Sequence, residues 1–198
     1  MAAGLTKRFG KTTVLDGVSF DLTPGEMLAI VGPDGAGKTT LIQLLAGLLE
    51  PTAGTAVVGG LDVRMAGTAL GERIGYMSEG FTLYESLSVG ENLAFFAALY
   101  GVVGEERERR TAELLRFSRL DTALDRRAGR LSGGMQKKLA LCCVLIHRPR
   151  VLLLDEPTLG VDPLSRQELW RLLDRFLAER MTIVVTTPYL DEAERCQR

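Results

Sequence analysis

Residues 32–39 read Gly32-Pro33-Asp34-Gly35-Ala36-Gly37-Lys38-Thr39, a full match to G-x-x-x-x-G-K-[ST] set between apolar stretches at 27–31 and 41–46. No other feature restricts the fold as much. The pattern needs a buried strand, a tight turn and a helix in that order, because the loop works by pointing backbone N–H groups at phosphate. The glycines permit the turn, Lys38 adds a point charge toward the β- and γ-phosphates, and the Thr39 hydroxyl is suited to Mg²⁺. The dipole of the following helix favours the same anion. The motif therefore predicts an α/β chain that binds a nucleotide.

The rest of the chain supports an α/β alternation. Residues 15–22 alternate like a half-buried strand, and Thr23-Pro24-Gly25 turns it into the strand at 27–31. Further strands are predicted near 55–58, 74–77, 151–154 and 181–186. The last two are continuous apolar runs, as expected of parallel strands covered on both faces. Helical periodicity runs from 89 to about 120, again over 139–146, and from 163 to about 179 between the last two strands.

At 198 residues and a net charge of −1, the chain is read as one domain without the basic surface that nucleic acid requires. The run at 105–110 mixes both signs of charge and reads as a solvated helix face. No apolar run approaches the roughly eighteen residues of a membrane span, and the start lacks a signal peptide's apolar core. Cys142 and Cys143 adjoin within an apolar helix, where buried reduced thiols are expected.

Two further motifs follow the P-loop. Residues 151–154 lead into Asp155-Glu156, a carboxylate pair at the end of a buried strand. Asp155 is suited to hold Mg²⁺, and Glu156 to polarise an attacking water as the catalytic residue. Ser132-Gly133-Gly134-Met135 then opens a second helix with a second set of N–H groups for an anion. One nucleotide has no evident use for two such sites, so the second loop is expected to serve a different subunit's nucleotide.

With GPDGAGKTT at 32–40, LSGGMQ at 131–136, VLLLDEP at 151–157 and TLGVD at 158–162 in this order, the chain resembles ATP-binding cassette (ABC) ATPases over essentially its whole length. IGYMSEGFTLYESLSVGENL and TLGVDPLSR are similar to ABC-2-type and drug-exporter domains. The resemblance implies a P-loop NTPase core with a mainly parallel sheet, an N-terminal antiparallel β subdomain and an inserted helical subdomain. The core would take about 1–79 and 148–198, the insert about 80–147, and the chain reads as trimmed at its C-terminus. The implied ligands are ATP and Mg²⁺. Gly32 to Thr40 would hold the phosphates, Phe9 would stack on adenine, and Thr39, Asp155 and Glu79 would surround the metal. Ser132 to Met135 would cap the ATP of a second cassette, toward which Asp162 would reach. An integral-membrane permease is the further implied partner. It would contact residues 80–88, including Phe81 and Tyr84, and hold the chain at the inner face of the cell membrane.

Two positions depart from the family pattern. Glu79 stands where a glutamine is usual, and Pro188 where a histidine normally contacts the γ-phosphate. Proline offers neither a side-chain donor nor a backbone N–H. The one histidine, His147, closes the insert's last helix and reads as structural. The expectation is ATP binding with slow hydrolysis at this chain's own site. The competing readings are one cassette of a tandem protein acting on the ribosome, or a non-hydrolysing nucleotide-gated scaffold.

Overall fold

The computed structural model describes residues 1–80 and 83–198, which divide into two compact units. The first comprises Met1–Glu79, Pro149–Pro157 and Leu177–Arg198, and the second Gly80–Arg148 and Thr158–Phe176.

The first unit carries two four-stranded sheets. One is antiparallel: β1 (Ala2–Phe9) pairs with β2 (Thr12–Phe20) on one side and β4 (Ala53–Val58) on the other, and β5 (Leu61–Asp62) extends β4. Strand β1 is absent from the sequence reading because only Ala2 and Leu5 of its residues are buried, too few to mark a period. The second sheet is parallel and contains β3 (Met27–Val31), β6 (Ile74–Met77), β7 (Val151–Asp155) and β8 (Thr182–Thr187), in the order β3-β8-β7-β6. Helices α1 (Lys38–Leu45) and α2 (Thr68–Arg73) complete this part, with α7 (Leu190–Ala193) after β8. Leu5, Leu15, Ile42, Leu44, Leu153 and Val184 lie in one apolar cluster of this unit. Beyond α7, the Gln197 N–H donates to the Met27 carbonyl, and the Ala29 N–H to the Arg198 carbonyl.

Register in the parallel sheet decides where chemistry can occur. Val31 lies opposite Thr187, Asp155 opposite Thr186, and Met77 opposite Leu154. The P-loop, the Asp155-Glu156 pair, Pro188 and the residues before Glu79 therefore all leave the sheet at its carboxyl edge, the usual ligand edge of such sheets.

The second unit is helical: α3 (Val89–Leu99), α4 (Gly104–Ser118), α5 (Gly133–Leu145) and most of α6 (Pro163–Ala178). The predicted single helical stretch from 89 to about 120 is broken, because the Val102 N–H turns back to the Ala97 carbonyl at 2.8 Å and ends α3. Helix α5 starts at Gly133, directly after the capping Ser132 and ahead of the apolar run at 139–146. From Lys138 to Leu145 every residue of α5 is buried, which makes it the central helix of this unit. Cys142 and Cys143 lie in that stretch, and burial pushes the Cys142 thiol up to about 11. No helix among the described residues is long and apolar enough to cross a membrane.

Candidate functional site

The P-loop follows directly from the end of β3. Gly37 takes φ 90°, a left-handed conformation, and a Cβ there would come within 3.0 Å of the Val14 carbonyl oxygen and Leu15 Cδ2. Only glycine lets the chain turn this close to β2. Helix α1 begins at the next residue, with no side chain capping it and no acidic residue in its first turn. Its N-terminal N–H groups thus remain available for an anion. Pro33, Asp34, Gly35 and Ala36 are exposed, Gly32 is half-buried beneath them, and Thr39 and Thr40 begin the helix.

Lys38 is only 6% exposed. Its Nζ donates to the carbonyls of Gly32 at 2.7 Å and Pro33 at 3.0 Å, and pairs with Glu156 Oε1 at 3.0 Å. A buried ammonium needs such partners. Phosphate oxygens could replace Glu156 in this role and would release its carboxylate.

Asp155 ends β7 and is 1% exposed. Its Oδ1 accepts from the Thr186 hydroxyl at 2.7 Å, while Oδ2 is buried without a hydrogen-bond partner among the described residues. The adjacent Glu156 has φ 48°, unusual for a residue other than glycine, and its N–H donates to the same Thr186 oxygen at 3.0 Å. Burial, followed by the charge of Asp155, pushes the nearby Tyr76 phenol upward. Among the described residues, no group of three or more His, Cys, Asp or Glu could hold a metal alone. Mg²⁺ needs no such cage, since one or two carboxylates, waters and substrate phosphates suffice. The unsatisfied Asp155 Oδ2 and the Thr39 hydroxyl fit that requirement.

The second glycine-led helix start belongs to the helical unit. Ser132 accepts from the Met135 N–H at 3.3 Å and caps α5. A Cβ on Gly134 would overlap Ser165 at the start of α6. Asp162 accepts from the N–H groups of Leu164 at 3.1 Å and Ser165 at 3.0 Å, and the Ser165 bond foremost lowers its pKa. Farther along α5, Lys138 pairs with Glu168 of α6 at 2.8 Å, and that bond holds the Glu168 carboxyl below its ordinary value. The Ser132–Met135 turn and Asp162 thus stand at the starts of two helices that approach closely at Gly134 and Ser165 and are joined by the Lys138–Glu168 pair.

Phe9 ends β1 with its ring 49% exposed and Lys7 Nζ 5.0 Å from its centroid, so it is no core residue. Glu79 is exposed, two residues past β6. Pro188 is half-buried immediately after β8, where Thr187 donates to Glu192 Oε2 at 2.6 Å and accepts from the Tyr189 N–H at 3.1 Å. His147 stacks on Tyr100 at 3.8 Å within the helical unit. Tyr84 is 47% exposed and lies edge-on to Phe95 at 4.6 Å. Its segment is held by buried Asn92, which accepts from the Tyr84 N–H and donates to the carbonyls of Tyr84, Leu87 and Ser88. Phe81 lies outside the described residues. Sequence reasoning missed Thr186 and Asn92; the only available signal for Thr186 was a hydroxyl closing an otherwise apolar strand.

The ABC transporter family model matches residues 15–159. The probable multidrug ABC transporter ATP-binding protein YbhF of Escherichia coli (strain K12) is 49% identical over 196 residues, which is 98% of this chain and 34% of that protein. The Nod factor export ATP-binding protein I of Paraburkholderia xenovorans (strain LB400) is 39% identical over 97% of this chain and 64% of its own length. The chain thus spans about a third of the first of these relatives and less than two thirds of the second. Among solved structures, the dimeric post-hydrolysis state of the ATP-binding cassette MJ0796 bound to ADP and Pi superposes with a TM-score of 0.86 at 26% identity. That match covers 99% of this chain and 90% of the other.

Proposed function

Because the chain belongs to the ABC transporter family of ATP-binding domains, we propose that it binds ATP with Mg²⁺ and hydrolyses it to ADP and phosphate to drive a membrane permease. The observation that carries this reading is the buried Lys38–Glu156 pair beneath an uncapped helix N-terminus. It places a cation for phosphate and a carboxylate for water on one site. Arriving β- and γ-phosphates take the hydrogen bonds of Lys38, and Glu156 is freed to accept a proton from the attacking water. Thr39 and Asp155, with Glu79 as a further candidate, would hold Mg²⁺, which when bound neutralises charge across the phosphates. The other residues of 32–40 line the phosphates, and Phe9 offers an exposed ring for adenine.

In this reading a second cassette, identical or different, pairs with the chain. Ser132, Gly133, Gly134 and Met135 cap the partner's nucleotide, and ATP-driven closure is passed to the permease. The names of the relatives, concerning multidrug transport and Nod factor export, support the export class. The exposure of Tyr84, on a segment that Asn92 hydrogen-bonds, supports the permease contact and with it a peripheral place at the inner face of the membrane. Pro188 favours slow turnover, since a lost donor to the phosphoryl transition state costs on the order of 2–4 kcal/mol. If hydrolysis is absent altogether, the chain acts instead as a nucleotide-gated scaffold.

MgATP binding and phosphate release, measured for the chain and for Glu156→Gln, test the proposal. Binding is expected in both and release only in the former. Absence of binding would reject the reading, and equal release from both would remove Glu156 from its role.

A further inference from the structure

Thr186 occupies the one position of β8 that faces both acidic residues. It lies opposite Asp155 in the parallel register and is fully buried. A backbone N–H can only donate, so the Glu156 amide at 3.0 Å fixes the Thr186 oxygen as its acceptor. The single hydroxyl proton must then point elsewhere, and Asp155 Oδ1 receives it at 2.7 Å. The resulting chain of hydrogen bonds runs in one direction, from the Glu156 N–H through the Thr186 hydroxyl to Asp155 Oδ1. Thr187 cannot take over this role, because its hydroxyl is committed to Glu192 and the Tyr189 N–H.

Resting on the ATP·Mg²⁺ reading above, we propose that Thr186 is a positioning residue that aims both acidic groups at once. By holding Oδ1 it stops the Asp155 carboxylate from rotating and turns Oδ2, which has no hydrogen-bond partner among the described residues, toward the cation. By holding the Glu156 amide it maintains the left-handed backbone at φ 48° that sets the direction of the Glu156 side chain. Metal ligands with an oriented outer partner bind more tightly, and loss of that partner typically costs about 10- to 100-fold in metal affinity.

The test compares ATP affinity in Mg²⁺ with ATP affinity in EDTA for the chain, Thr186→Val and Thr186→Ser. Valine keeps the shape and removes the hydroxyl, whereas serine keeps the hydroxyl. The gain in affinity from Mg²⁺ should fall about tenfold or more in Thr186→Val and stay within about threefold of the parent in Thr186→Ser. Affinity in EDTA should be unchanged in all three, since the P-loop is untouched. A merely structural role would lower both affinities together, or would lower serine as far as valine, and either result overturns the proposal. So does a valine variant that keeps the full Mg²⁺ gain. If the parent binds no ATP in either buffer, the functional reading fails instead. Should Thr186→Val not fold, Thr186→Cys takes its place. Its thiol has similar bulk and is a weak donor, so an intermediate loss is expected and a parent-like Mg²⁺ gain contradicts the proposal.

Discussion

Two helices in this chain begin with glycine-rich turns, α1 after Gly37 and α5 after Ser132, and they are equipped differently. Helix α1 has no side-chain cap and carries a buried lysine at its first position, with carbonyl and carboxylate partners that a phosphate could displace. Helix α5 is capped by its own serine, and the buried lysine on it, Lys138, is already paired with Glu168. The first turn carries its own buried lysine beside free N–H groups, as an anion site requires. The second begins at a glycine and spends its serine on capping. Gly37 and Gly134 differ in the same way: one permits a left-handed turn beside β2, the other admits Ser165.

The largest expected effect falls on nucleotide affinity. Lys38→Ala should weaken MgATP binding by about a hundredfold, since hydrogen bonds to charged groups contribute about 1.5–3 kcal/mol each and Lys38 is expected to make more than one. Ser132→Ala in the chain alone should leave that affinity within about twofold. An equal loss in both variants, read by titration calorimetry, would break the comparison. Gly134→Ala is expected to cost about 1–3 kcal/mol of stability through overpacking, and Ser165→Gly in the same molecule should return most of it. Urea unfolding checks this, and an additive double variant would show that the two residues do not share the space.

The smallest effect is electrostatic. The Lys138 ammonium lowers the folded-state pKa of Glu168, so the pair stabilises the fold above the ordinary glutamate pKa. That contribution is lost as pH falls through the lowered value. Glu168→Gln should therefore flatten the acid limb of the pH–stability curve and reduce stability near neutrality. An acid limb identical to the parent's would remove the pair from the account.

The sequence displayed those parts whose chemistry is local. Gly37, Lys38 and Thr39 are consecutive, and α1 must start where they stand, so the loop could be read without the fold. Strand β7 and Asp155 were legible for the same reason, as an apolar run ending in charge. What was hidden depends on partners far along the chain. Thr186 acquires its role only because β8 lies beside β7 in a register that sets it against Asp155. Asp162 reads in sequence as a loop residue reaching outward, while in the fold it also caps α6. Strand β1 was hidden because an antiparallel strand with only two buried side chains carries little pattern. The break between α3 and α4 lies at Gly101 and Gly104, both at positive φ, between the apolar positions up to Leu99 and those at Leu114 and Leu115.

We propose that this chain holds ATP but hydrolyses it slowly, with Pro188 in place of a contact to the γ-phosphate. The direct measurement is MgATP affinity together with phosphate release at saturating ATP, for the chain and for Pro188→His, at concentrations high enough for cassettes to pair. The account predicts affinities within about twofold and a release rate at least tenfold higher in the histidine variant, within the roughly hundred- to thousandfold range of one transition-state donor. Equal release rates at equal affinity would contradict it.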